Sequence, residues 1–219
     1  MTKTITLMTT ILISLLLPIN FASAKSFDKF PKTFDKKCKN GKAKLYDECS
    51  DQVPIFQKAL DEAKKSNKTL LVSYGAEWCI WCHILEAYIE GKKTKFDYVF
   101  GKPDKPDARF NTTFHEREKY DVSKEAKALN DFVKNNFVVV HIVNYKTTNG
   151  NSVLKKTGAE KHYADEIPFV FTVKNDGQYS GHMEIKEIQV KRKGEDFFYG
   201  LDRAKLLAHL QRIKQLALP

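Results

Sequence analysis

Apolar positions along the chain change period several times, and each change marks an element. Val53, Phe56, Leu60 and Ala63 recur at helical spacing, so a helix is expected with Ser50 as N-cap, Asp51 in the first turn and Asn67 as its close. Thr69 to Tyr74 is a near-continuous apolar run, the pattern of a central strand covered on both faces. Ile84, Leu85, Tyr88 and Ile89 restore the helical period, predicting a helix from about Cys79 to Glu90 that Gly91 ends. Ser123 caps a third helix with Ala126, Leu129, Phe132 and Val133 on one face. Phe137 to Val143 reads as a second buried strand, and Val153 to His162 as a short, partly helical connection. Phe169 to Val173 is a strand that Asn175-Asp176-Gly177 turns into an antiparallel one from about Tyr179 to Val190. Asp202 caps a closing helix with the stripe Leu206, Leu207, Leu210, Ile213 and Ala217. The pattern predicts an α/β fold: a mixed sheet with strands near 69–74, 137–143, 168–173 and 180–190, flanked by helices on both faces.

Three stretches fall outside this core. Residues 1–24 read as a secretory signal peptide: Lys3 is the positive start, Ile5 to Leu17 the apolar core, and Ala22-Ser23-Ala24 the cleavage site. That core is too short and too polar for a stable span, so no membrane insertion is expected after cleavage. Residues 25–49 form a lysine-rich N-terminal extension with Phe27, Phe30 and Phe34 as anchors, and Lys42 to Asp47 reads as a short edge strand. Residues 50–219 form the domain, interrupted by a polar insertion at 91–122. Within it, Lys102-Pro103-Asp104-Lys105-Pro106-Asp107 excludes regular structure, while Phe96, Tyr98, Phe100, Phe110 and Phe114 are interleaved. The insertion is either a decoration packed on the domain or a flap beside the cysteines that selects partners.

Charge and cysteines narrow the chemistry. The chain of 219 residues carries a formal net charge of +10. Its lysines are scattered and accompany no nucleic-acid motif, so nucleic acid is not an expected partner. All four cysteines (Cys38, Cys49, Cys79 and Cys82) follow the signal peptide, and an exported chain meets conditions in which disulfides persist. The periplasm is the expected address, with secretion as the alternative. Cys38 and Cys49 bracket the extension and suit a disulfide that staples it to the domain. A second redox pair is the other reading, although no helix start lies there to activate a thiol.

Cys79-Ile80-Trp81-Cys82 follows the apolar strand directly. The first N–H groups of a helix are unpaired and its dipole is positive there, so a thiolate at that end is stabilised. The thiol pKa then falls from about 8.5 into a range of roughly 3.5–7.5. Cys79 is expected as the exposed nucleophile and Cys82 as the thiol that resolves the mixed disulfide. Read with His83, the same residues spell C-x-x-C-H, a c-type haem attachment pattern, and Cys79, Cys82 and His83 also offer three ligands to copper or zinc.

The string Ala76-Glu77-Trp78-Cys79-x-x-Cys82 behind an apolar strand resembles the active site of the thioredoxin superfamily, and Ile167-Pro168 before Phe169 to Val173 resembles its cis-proline and following strand. Gly200-Leu201-Asp202-Arg203 before the last helix is a weaker match. The resemblance implies a thioredoxin-like fold and an exported thiol–disulfide oxidoreductase of the Dsb type. It implies that Trp78 walls the site and that Pro168, with Ile167, presents an edge for a substrate strand. Glu77, Trp81 and His83 complete the expected surroundings. No cofactor is expected; the partners are proteins with disulfides or thiols, and a membrane electron-transfer partner. Where related reductases carry a buried acid in the strand before the motif, this chain has Ser73. Ile167 is the thioredoxin-like choice, so reduction is favoured over oxidation, and both stay open.

Overall fold

A computed structural model describes residues 27–35, 37–41, 43–97, 113–120, 123–191 and 198–218, with the backbone alone at 39–40, 92–97, 113–120, 191 and 198–199. The signal peptide and the Lys102 to Asp107 run lie outside the described residues, as do the side chains of the insertion's aromatics.

Five strands make one sheet: β1 (Lys29–Phe30), β5 (Phe137–Val143), β2 (Thr69–Gly75), β6 (Phe169–Val173) and β7 (Tyr179–His182), in that spatial order. β2 runs parallel to β5 and antiparallel to β6, and β1 runs parallel to β5. The described sheet is the mixed, helix-flanked one expected, with β1 added at the edge. Two residues without periodicity gave no signal for that strand.

Side chains alternate across the sheet. Leu71, Phe137, Val139 and Val170 face helices α2 (Ile80–Ile89), α3 (Lys124–Asn136) and α6 (Arg203–Ala217). Leu70, Val72, Tyr74, Val138, Val140 and Ile142 face α1 (Gln52–Lys65) and α4 (Gly150–Thr157). Ser73 and His141 are register partners, so both follow the parity of Leu71 and Val139 toward α2. Two polar groups are thereby placed side by side on a buried face.

Several boundaries differ from the sequence reading. Asp51, not Ser50, caps α1: its carboxylate accepts from the Val53 N–H at 2.9 Å, while Asp47 takes the Ser50 N–H. Of the expected strand Lys42 to Asp47, Lys42 lies outside the described residues and 43–47 are not a strand; the Glu77 carboxylate takes the N–H groups of Lys44, Leu45 and Tyr46. The strand from Tyr179 stops at His182. A single turn, α5 (Ile185–Ile188), follows, and β8 (Gln189–Lys191) pairs with β9 (Phe198–Leu201) as a separate ribbon. The two ends of the insertion also pair, as β3 (Lys92–Asp97) with β4 (Thr113–Tyr120). Gly91 ends α2 with φ +72, a conformation that suits glycine.

Candidate active site

β2 ends at Gly75, and four residues later α2 begins with Cys79 as its N-cap. Cys79 and Cys82 are joined as a disulfide with Cα atoms 5.3 Å apart. Cys79 Sγ accepts the Cys82 N–H at 3.2 Å, so a helix-terminal donor points at that sulfur. Cys79 is 3% exposed and Cys82 1%, so the expected exposed nucleophile is covered in this state. The cover is apolar: Leu45, Tyr46 and Val143 are packed around the pair, and Trp81, Tyr145 and Ile167 close over it.

Part of that cover comes from the N-terminal extension. Residues 43–48 form a strap across the motif. The Glu77 carboxylate accepts the backbone N–H groups of Lys44, Leu45 and Tyr46 at 3.0, 3.0 and 2.8 Å. Three successive N–H groups on one carboxylate make an anion-binding nest. Glu48 returns the contact, accepting the Glu77 N–H at 3.2 Å and the Tyr145 hydroxyl at 2.9 Å. Cys38 and Cys49 form a disulfide that closes the loop carrying this strap.

Beneath the disulfide lies a polar floor. Tyr46 Oη shares a 3.0 Å hydrogen bond with Ser73 Oγ, and its ring meets His141 edge-on at 5.3 Å. His141 Nδ1 donates to the Phe30 carbonyl at 3.2 Å, and the Glu86 carboxylate takes Nε2 at 3.0 Å. Lys29 donates to Glu86 at 3.2 Å and to Glu90 at 2.7 Å. Burial alone raises the Glu86 pKa, but His141 and then Lys29 outweigh it and hold the carboxyl well below its usual range, at about 2. Burial likewise opposes the Lys29 charge, and Glu86 and Glu90 together raise its pKa. Burial pushes the Tyr46 hydroxyl far above its ordinary value, so it stays protonated.

The mouth differs from the expected arrangement at one tryptophan. Trp78 does not wall the site; it is 66% exposed. Trp81 takes the covering role, half-buried beside Ile80. Trp81, Ile167, Pro168 and Ile185 line an open groove of about 450 Å³, with the Lys186–Glu166 ion pair (2.7 Å) at its rim. His83 Nε2 is drawn to the Glu77 carbonyl at 2.7 Å. Among the described residues Cys79, Cys82 and His83 do not gather as ligands; the one group that does is Cys38, Asp47 and Cys49, whose sulfurs are bonded to each other.

Tyr74 pairs with Phe169, so the end of β2 and Pro168, before β6, lie at the same edge of the sheet as the start of α2. The Ile167–Pro168 bond is cis. A helix-terminal disulfide following the central strand, an antiparallel neighbour that begins beside it just after Pro168, and this strand order together decide the architecture. The fold is thioredoxin-like.

The chain matches no family model and no curated protein. Several solved structures resemble it, among them the following three. A disulphide isomerase from Xylella fastidiosa is 21% identical, over 64% of this chain and 79% of its own, with a TM-score of 0.40. The oxidised C-terminal domain of DsbD from Neisseria meningitidis is 14% identical, over 78% and 99%, with a TM-score of 0.36. DsbH oxidoreductase is 12% identical, over 73% and 81%, with a TM-score of 0.35.

Four residues of this thioredoxin-like site escaped the sequence reading: Tyr46, Glu86, His141 and Lys29. The available signal was the lone polar residue inside an apolar run. Ser73 and His141 interrupt strands covered on both faces, and Glu86 interrupts the apolar stretch Ile84 to Ile89. Such residues need partners: His141 and Glu86 bond each other, and Ser73 bonds Tyr46.

Proposed function

We propose that this chain is a thiol–disulfide oxidoreductase acting on protein disulfides or thiols through Cys79 and Cys82. The observation that carries this reading is the Cys79–Cys82 disulfide, capping α2 and opening beside the groove of Trp81, Ile167 and Pro168. Cys79 is the nucleophile, because it sits at the positive end of the helix and its sulfur accepts a helix-terminal N–H. Cys82, one turn further in, attacks the mixed disulfide and releases the product. An extended substrate segment lies against Ile167 and Pro168, where the groove combines an apolar wall with one charge of each sign at its rim.

In this reading residues 1–24 direct export and the protein works in the periplasm, or outside the cell. It acts as a reductase or disulfide-handling protein resupplied with electrons by a membrane partner. Among the described residues, no helix is long and apolar enough to cross a membrane.

Trapping tests the roles. Cys82→Ser keeps the attack and loses release, so it accumulates disulfide-linked partners on non-reducing gels. Cys79→Ser traps few or none. Equal trapping by both variants would reverse or abolish the assignment. The potential of the couple against glutathione then sets direction: near about −270 mV for a reductase, near about −120 mV for an oxidase.

A further inference from the structure

When the Cys79–Cys82 bond opens, Cys82 is left at a position 1% exposed. A buried thiolate without a donor is costly, yet the exchange reaction requires that thiolate. A hydroxyl near it comes from outside the motif. A methyl on Gly75 would lie 2.6 Å from Cys82 Sγ and 2.7 Å from Tyr46 Oη, so sulfur and hydroxyl converge over one bare Cα. Tyr46 and Cys82 also belong to one buried cluster. The tyrosine is held there from two sides: its backbone N–H is bound by Glu77, and its hydroxyl by Ser73. The loop that delivers it is closed by Cys38–Cys49.

We propose that Tyr46 is the hydrogen-bond donor that stabilises the Cys82 thiolate, and that the disulfide-closed strap exists to present it. The proposal rests on the oxidoreductase reading above. In the first step the Cys79 thiolate attacks a substrate disulfide; one substrate sulfur bonds to Cys79 and the other leaves as a thiolate. That leaving thiolate takes up the proton of Cys82. The Cys82 thiolate, held by the Tyr46 O–H, then attacks Cys79 Sγ. The Cys79–Cys82 bond forms, the bond from Cys79 to the substrate breaks, and the second substrate sulfur departs with the electron pair. Two electrons pass from the dithiol to the substrate. Ser73 Oγ lies 3.0 Å from the Tyr46 oxygen, and with Ser73 as donor the bond polarises the Tyr46 O–H toward the sulfur.

The charged and titratable groups around this pair come from several elements. Glu77 and Glu86 both bear on Tyr46 electrostatically. His141 packs against its ring from β5, with Lys29 behind Glu86. Asp47 and Glu48 belong to the strap itself. None of these carboxylates can donate to a thiolate when ionised, whereas the tyrosine keeps its proton at every working pH.

The test uses reduced full-length protein mixed with oxidised glutathione from pH 5 to 9. Tryptophan fluorescence separates two phases: attack by Cys79, which scales with glutathione, and closure by Cys82, which does not. Tyr46→Phe keeps the ring and loses the hydroxyl. At pH 7 the ratio of its closure rate to its attack rate should fall about tenfold, with the closure midpoint raised by about one pH unit. A folded Tyr46→Phe protein with the wild-type ratio and midpoint overturns the proposal. Ser73→Ala, which keeps the Tyr46 hydroxyl and removes only the group bonded to it, should move closure the same way by about threefold. If Tyr46→Phe does not fold, unchanged closure in Ser73→Ala overturns the proposal instead. Wild-type protein that shows neither phase refutes the oxidoreductase reading itself, a failure distinct from that of Tyr46.

Discussion

Glu86→Gln is the most informative perturbation of the floor. The change keeps the side chain's shape and removes one negative charge from between His141 and Lys29. In the folded chain the Glu86 carboxyl sits at about 2, against an ordinary 4.5. At about 1.36 kcal/mol per unit this difference is worth about 3 kcal/mol at neutral pH. Breaking one partner of a buried pair costs about 3–5 kcal/mol, which agrees. The sign follows from the direction. A folded-state pKa below the unfolded one contributes stability that is complete above the unfolded value and is lost as pH falls through the folded one. The stability gap between wild type and Glu86→Gln should therefore be largest above about pH 6 and close between about pH 4.5 and 2. Urea unfolding with both disulfides intact, followed by tryptophan fluorescence, measures the gap. A drop in Tm of roughly 6–12 °C at pH 7 corresponds to it for a domain of this size. A gap under about 1 kcal/mol at pH 7, or one that stays constant down to pH 2.5, would refute the account of Glu86 as an ionised, paired group.

Two glycines offer a contrast in the same assay. A methyl on Gly150 would lie 1.8 Å from the Val143 carbonyl oxygen, a fixed strand atom, so Gly150→Ala should cost about 3 kcal/mol or more. A methyl on Gly181 would lie 2.6 Å from Leu216 Cδ1, the movable end of an exposed side chain, so Gly181→Ala should cost under about 1 kcal/mol. The Cys38→Ser/Cys49→Ser pair opens a loop with a sequence separation of 11 and should cost about 3 kcal/mol. Amide hydrogen exchange at Lys44, Leu45 and Tyr46 should rise with it; unchanged protection there would show that Glu77 alone secures the strap.

The sheet and the main helices were legible because burial on both faces leaves long apolar runs, as in Phe137 to Val143, and burial on one face leaves the 3.6-residue period of α1 and α3. The motif was legible because cysteine spacing and the strand before it are local. What was not legible depends on partners distant in the chain. Lys42 to Asp47 has a strand-like composition, yet its described part, 43–47, is not a strand: Glu77 binds the N–H groups of Lys44, Leu45 and Tyr46. The resemblance names Trp78 as the wall, yet Trp78 is exposed and Trp81 is the tryptophan packed against the two cysteines. Ser73 was recognised as standing where an acid was expected. The groups that compensate (Tyr46 through its hydroxyl, Glu86 from α2, and His141 from the neighbouring strand) are 27, 13 and 68 positions away in the chain, beyond any local pattern.

The convergence of those residues bears on how the protein is made. A ribosome delivers the chain from its N-terminus at about 5–20 residues per second. A chain extended only through α2 already holds Cys38, Cys49, Cys79 and Cys82. It does not yet hold His141, which pairs with Ser73 and Glu86, nor Ile167 and Pro168, which complete the mouth. Every cysteine of the molecule thus appears before the sheet beside Cys79 and Cys82 can close. Cys38 and Cys49, close neighbours in sequence, have a short loop to join, whereas Cys79 and Cys82 acquire their surroundings only with the last third of the chain. The packing around Cys79 and Cys82 is therefore a property of the finished molecule, and an unfinished chain carries both cysteines before that packing exists.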